Sequence, residues 1–149
     1  MGDMTSLDLY QTVEREVVAV RDSYPNADFR VEGEIPHVSV QANEMLSSVF
    51  RNLFVNAVRH TTDRSPEIRV SCNERADSVR VRIADNGPGI PDGQKEEIFG
   101  KGATTIESPG TGIGLYLVRT LIDRFGGDVW VEDNEPNGSV FVVELLKSE

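Results

Sequence analysis

The sequence predicts an α+β fold, a two-layer sandwich in which helices cover one face of a mixed, mainly antiparallel sheet. Three observations carry this. Short stretches such as "EIRVSCN", "SVRVRIA", "DVWVED" and "SVFVVEL" alternate apolar and polar residues, as half-buried strands do. The stretch "NEMLSSVFRNLFVNAVRH" instead repeats its apolar residues at helical spacing. The strands also follow one another across short polar turns, which pairs them as hairpins.

Taken in order, "LDLYQTVEREVVAVRDSYP" spaces Leu7, Val13, Val17, Val18 and Val20 for a helix that stops before Pro25. "DFRVEG" and "HVSVQ" are expected to be short strands around the turn residues Gly33 and Pro36. From Asn43 to His60 a helix should turn Leu46, Val49, Phe50, Leu53 and Ala57 into the core, with Asn52, Asn56 and Arg59 on a neighbouring stripe. Ile68, Val70 and Cys72, then Val79, Val81 and Ile83, face inward on a hairpin closed by "ERAD". "GQKEEIFG" reads as a helical fragment. A further helix runs from the glycine stretch "GTGIGL" to Phe125 and ends at Gly126-Gly127, before a last hairpin across "NEPNG".

At 149 residues the chain is expected to form one domain, 1–149, with residues 1–25 as an N-terminal helix or linker. A formal charge of −10 and a pI near 4.7 argue against a nucleic-acid surface, which needs clustered Lys and Arg. No apolar run approaches the roughly 20 residues that span a bilayer, so the domain is expected to be cytoplasmic and to make no membrane contact. Lysine occurs only at Lys95, Lys101 and Lys147, and this acidic, lysine-poor composition resembles that of salt-adapted proteins. Cys72, the single cysteine, cannot form an internal disulfide and reads as a small core residue.

The chemistry-bearing letters begin with Gly110, Thr111, Gly112, Ile113, Gly114 and Leu115 at the mouth of a helix. Repeated glycine lets a backbone pass where a side chain would collide, and a helix N-terminus favours anions, so phosphate is the first candidate. A P-loop is excluded, because Gly102 follows Gly100-Lys101 where a hydroxyl is required, and a dinucleotide fingerprint is excluded because the run is G-x-G-x-G after a polar loop. A lid that merely ends at a helix explains these letters equally well. Asn52 and Asn56 on one helix face offer neutral oxygen ligands suited to Mg²⁺, with local capping as the alternative. Asp85 in "DNGPGI" stands where a strand stops, and Gly87 and Gly89 allow close approach; a simple turn accounts for it as well.

In this order "NLFVNAVRH", "DNGPGI", "EEIFGKG" and "GTGIGL" resemble the N, G1, F and G2 boxes of the GHKL ATP-binding superfamily, most closely the sensor histidine kinases. The resemblance runs from about Leu7 to Lys147. It implies a histidine kinase-like ATP-binding domain with ATP and Mg²⁺ as cofactors, residues 85–115 forming the nucleotide pocket and ATP lid. Asn56 would coordinate Mg²⁺ with Asn52 assisting, Arg59 would face phosphate oxygens, and His60 takes a position that is usually aromatic or His. Asp85 would accept a hydrogen bond from the adenine amino group, with Gly87 and Gly89 leaving room for the ring. Ile90, Ile98, Phe99 and Leu115 are its candidate apolar walls. Lys101 is the F-box candidate for phosphate, and Gly110, Thr111, Gly112, Ile113 and Gly114 would form the lid hinge. Gly102 departs from the usual F-box aromatic.

Hydrolytic members of the superfamily carry Glu one turn before the magnesium Asn, where this chain has Asn52, and that favours phosphoryl transfer to an imidazole. The acceptor histidine of such kinases lies on a separate dimerisation helix beside Glu or Asp. Neither His37 nor His60 has that context. The resemblance therefore implies a catalytic domain serving an acceptor histidine domain in the same full-length protein or in trans, with a response regulator downstream and the isolated domain a monomer. A nucleotide-dependent switch without turnover, or a GHKL ATP hydrolase, are the alternatives.

Overall fold

The computed structural model describes residues 4–61, 65–100 and 114–148. Among these residues, seven strands and three α-helices follow the order β1 (Thr5–Asp8), α1 (Leu9–Ser23), β2 (Asp28–Val31), β3 (Ser39–Ala42), α2 (Leu46–His60), β4 (Glu67–Glu74), β5 (Ser78–Ala84), α3 (Gly114–Phe125), β6 (Asp128–Asp133) and β7 (Ser139–Leu146). The main sheet has the order β2-β4-β5-β7-β6, and β1 and β3 form a separate two-stranded pair. Only β2 runs parallel to its neighbour, so the sheet is mixed and mostly antiparallel, as expected.

The helices bury one stripe each against one face of this sheet. Val13 and Val17 of α1, Leu46, Val49, Phe50, Leu53 and Ala57 of α2, and Val118, Ile122 and Phe125 of α3 are buried in one cluster with Ile68, Val70, Val79, Val81, Ile83, Val129, Phe141, Val143 and Leu145 from the strands. Phe54 packs edge-on against Phe29 with ring centres 5.1 Å apart, tying β2 to α2. Glu16 on α1, 2% exposed, pairs with Arg51 of α2 at 3.0 Å, which satisfies a carboxylate that would otherwise be buried alone.

The opposite face of the sheet carries Val140 and Val142 beside Trp130, Glu132 and Arg82. Both valines are buried although no helix among the described residues is packed on them. Arg80 stacks over Trp130 at 5.1 Å, Trp130 Nε1 donates to Glu132 Oε2 at 2.7 Å, and Arg82 donates to Glu132 Oε1 at 3.3 Å.

Several expected boundaries move. Leu7 lies in β1, opposite Val40 of β3, and not in the first helix; that helix begins only after Asp8, whose side chain accepts from the Gln11 N–H at 3.3 Å. The segments around "DFRVEG" and "HVSVQ" are strands, but each pairs elsewhere, β2 with β4 and β3 with β1. The second helix starts at Leu46 rather than Asn43, whose Oδ1 accepts from the Met45 N–H at 2.8 Å just ahead of it. "GQKEEIFG" forms two 3₁₀ turns, Asp92–Gln94 and Glu97–Phe99. Gly126, at φ 83°, terminates α3 as the glycine pair predicts.

Candidate nucleotide site

Strand β5 ends at Ala84, and the chain leaves the sheet at Asp85, which is 1% exposed. Its Oδ1 accepts from the Gly87 N–H at 2.9 Å and from the Ser139 N–H at 3.2 Å. Its Oδ2 is buried without a hydrogen-bond partner among the described residues. Burial pushes the Asp85 carboxyl above the usual carboxylate range, opposed by the two backbone N–H donors and by nearby His60. A buried carboxylate with one satisfied and one open oxygen is a directed acceptor awaiting a donor. An exocyclic amino group supplies one, whereas a carbonyl in the same place would set acceptor against acceptor.

The loop after Asp85 is held by close contacts. A Cβ on Gly87 would stand 2.9 Å from Thr61 Oγ1, 3.2 Å from Asp85 Oδ1 and 3.3 Å from the His60 carbonyl. Gly89 has φ 82°, a conformation that favours glycine. Both glycines thus have reasons internal to the fold, beyond the room for a ring that the sequence suggests. Thr61, buried and donating to the Ala57 carbonyl at 3.3 Å, stands beside this loop.

On α2, Asn52 donates its Nδ2 to the Ser48 carbonyl at 2.7 Å, which fixes the flip of the amide. Its Oδ1 lies 3.0 Å from where a Cβ on Gly114 would stand, so the start of α3 comes directly against it. Asn56 is half-buried one turn later, Arg59 is exposed, and His60 is buried with Nδ1 unpartnered among the described residues. The structure thereby joins Asn52 to Gly114, and His60 to Gly87 and Asp85.

Ile90, Ile98 and Phe99 are buried in the core cluster, and Leu115 is packed against it half-buried. Phe99 meets Phe141 edge-on at 6.1 Å and lies under the Arg119 guanidinium at 4.8 Å, which anchors the F-box segment to α3. Lys101, Gly110, Thr111, Gly112 and Ile113 lie outside the described residues.

Residues that the sequence analysis did not single out also shape the site. Ser139 reaches Asp85 from β7, and Asn134, in the β6–β7 turn, donates to the Asp85 carbonyl at 2.8 Å. The only signal was the turn sequence "NEPNG". It marks a hairpin but says nothing of what the hairpin touches.

A buried carboxylate oxygen at a strand end, without a partner among the described residues, can take a donor from a nucleotide base. Comparison with known proteins decides the family: the model of the histidine kinase-, DNA gyrase B- and HSP90-like ATPases matches residues 41–149. The chain belongs to this family. Within this ATPase family it resembles sensor histidine kinases throughout. It is 32% identical over 142 residues to the C4-dicarboxylate transport sensor protein DctB of Rhizobium meliloti, covering 93% of this chain and 22% of that protein. It is 28% identical over 148 residues to the phytochrome-like protein Cph1 of Synechocystis, covering 97% of this chain and 20% of Cph1. The chain thus spans about a fifth of the length of these curated relatives. Among solved structures, the catalytic domain of the histidine kinase ThkA superposes with a TM-score of 0.86 at 31% identity, over 99% of this chain and all (100%) of that one. This ATPase domain is accordingly of the sensor histidine kinase type, and its fold and nucleotide-binding character follow from that membership.

Proposed function

We propose that the domain binds Mg-ATP and transfers its γ-phosphoryl group to a histidine on a separate dimerisation domain. The observation that carries the nucleotide part is the Asp85 carboxylate, held by two N–H groups on one oxygen and without a partner on the other among the described residues. In this reading Asp85 Oδ2 accepts from the adenine amino group, and Ile90, Phe99 and Leu115 border the ring. Asn56 holds the metal, assisted by Asn52, whose oxygen is already oriented by the Ser48 carbonyl. A bound Mg²⁺ supplies charge neutralisation of the phosphate oxygens. Arg59 and Lys101 face the phosphates, and His60 borders them from the end of α2. In this reading the glycine run from Gly110 to Gly114 is the hinge of the ATP lid, and residues 85–115 make up the nucleotide pocket and lid of one domain spanning 1–149.

The reaction needs an aligned imidazole, which His37 and His60 do not provide in this reading. The acceptor lies on a dimerisation helix of a longer protein or of a partner, and a response regulator takes the phosphoryl group onward. ThkA has been solved in complex with the response regulator protein TrrA, and this chain's 30% identity to that kinase supports a response regulator as partner here. The domain acts in the cytoplasm as a monomeric unit.

The test adds a purified acceptor-helix domain and Mg-ATP labelled at the γ-phosphate. Acid-labile phosphate should appear on the acceptor, and Asn56→Ala should abolish it. The chain alone should neither label itself nor turn over ATP appreciably, since Asn52 is no carboxylate base for water. Phosphate release by the chain alone near the median enzyme turnover of about 10 per second would replace this reading with hydrolysis.

A further inference from the structure

The turn between β6 and β7 grips the Asp85 loop from behind. Besides Oδ2, three polar groups of Asp85 make four hydrogen bonds: its N–H donates to the Ser139 carbonyl at 2.9 Å, its carbonyl accepts from Asn134 Nδ2 at 2.8 Å, and its Oδ1 accepts from the Ser139 and Gly87 N–H groups. All but the Gly87 contact come from the segment 134–139. The Asn134 amide is itself set, because its Oδ1 accepts from the Glu135 N–H at 2.9 Å and its own N–H donates to the Gly138 carbonyl at 3.0 Å. Gly138 has φ 108°, and any Cβ there would run into the Asp85 carbonyl, so the turn lies directly against the strand end. Asn137 adds a 3.4 Å contact to the Asn86 carbonyl, and Lys95 links Asp133 at 2.9 Å to the Ile90 carbonyl at 2.8 Å.

We infer that Asn134 is a positioning residue for adenine recognition: by holding the Asp85 carbonyl it fixes the peptide plane from which the loop turns to Gly87, and so aims Oδ2. This rests on the adenine role of Asp85 proposed above. The physical logic is that of any outer contact that orients a ligand-binding group without touching the ligand. With Asn134 in place both Oδ1 donors and the backbone agree on one direction of the carboxylate. Without it the Asp85–Asn86 peptide can rotate and the Gly87 N–H drifts from Oδ1.

The test compares Asn134→Ala with the isosteric Asn134→Asp, which keeps the acceptor for the Glu135 N–H but sets an oxygen against the Asp85 carbonyl. ADP affinity is measured by calorimetry, the melting of the nucleotide-free protein by calorimetric scan, and the Gly87 amide resonance by NMR. Both variants should bind ADP about tenfold more weakly, as a mis-aimed Oδ2 weakens its one hydrogen bond to the base. Their nucleotide-free melting should fall, further in Asn134→Asp, because the buried Asp85 carbonyl loses its donor in both, and the Gly87 resonance should shift before any ADP is added. ADP affinity within twofold of wild type overturns the inference. A fall in affinity and melting temperature with the Gly87 resonance unmoved overturns it in favour of a merely structural turn. A wild-type chain that fails to bind ADP instead overturns the proposed function on which the inference stands.

Discussion

Replacing Asp85 by Asn should weaken nucleotide binding and strengthen the fold at once. In the folded protein Oδ1 faces two N–H groups, from Gly87 and Ser139, so an amide there must keep its oxygen on that side. Its NH₂ then takes the place of Oδ2 and would meet the adenine amino group donor to donor. A hydrogen bond to a charged acceptor contributes about 1.5–3 kcal/mol, so ADP affinity should fall roughly 10- to 150-fold. The nucleotide-free protein, by contrast, loses a buried charge with one unpartnered oxygen and keeps both accepted bonds. A gain of about 1 kcal/mol corresponds to about 2–4 °C in melting temperature for a chain of this size. The pH dependence gives a second readout. Asp85 in the fold holds its proton to a higher pH than the ordinary 3.8, so the stability that it lends is complete below that value and is lost as pH rises through the raised one. Across that window the wild type should lose stability relative to Asp85→Asn as pH rises. Asp28 and Glu132, held low by Arg30 and by Trp130 respectively, act in the opposite sense in both proteins and cancel in the comparison. Paired calorimetric titrations and melts provide the assay; a variant that loses both affinity and stability would refute the reasoning.

Gly87→Ala should cost about 1–3 kcal/mol of stability, because the new methyl would press on Thr61 Oγ1 and the His60 carbonyl, and a denaturant titration with an unchanged midpoint would disprove it. Asn56→Ala should abolish the magnesium dependence of ATP binding and Asn52→Ala should reduce it; titrations with and without Mg²⁺ check this, and an undiminished dependence in the Asn56 variant would place the ion elsewhere. With a formal charge of −10, the protein should melt at higher temperature as KCl rises toward molar levels, since screening relieves carboxylate repulsion. Melts that do not respond to salt would return the acidic composition to that of an ordinary mesophile protein.

The helices α2 and α3 and the two hairpins are legible in the chain because each is decided by neighbours in sequence. Leu53 and Ala57 recur at helical spacing, and Val79, Val81 and Ile83 alternate. What escapes is pairing at a distance. Leu7 has a helical neighbourhood but is claimed by Val40, and β2 finds β4 across an intervening strand and helix. The site divides in the same way. Asn52, Asp85 and Gly114 announce themselves through ordered motifs, and the approach of Asn52 to Gly114 gives that last glycine a concrete steric reason. Ser139 and Asn134 do not, because they meet Asp85 only through the register that sets Ala84 opposite Val140. No local pattern encodes that register.

The helix-free side of the sheet limits how this domain can meet other proteins. Val140 and Val142, the apolar residues at its centre, are already roofed by Trp130 with Arg80 stacked upon it and by the Arg82–Glu132 pair. A partner seeking grease there would first have to strip hydrated guanidinium and carboxylate groups that are engaged with one another, and would recover little apolar area in return. That side therefore behaves as a wet outer wall. Among the described residues, the approaches left for a neighbouring domain include the helical side and the loop-bearing end where β5 gives way to Asp85, and one docked at that end sits beside the candidate nucleotide site.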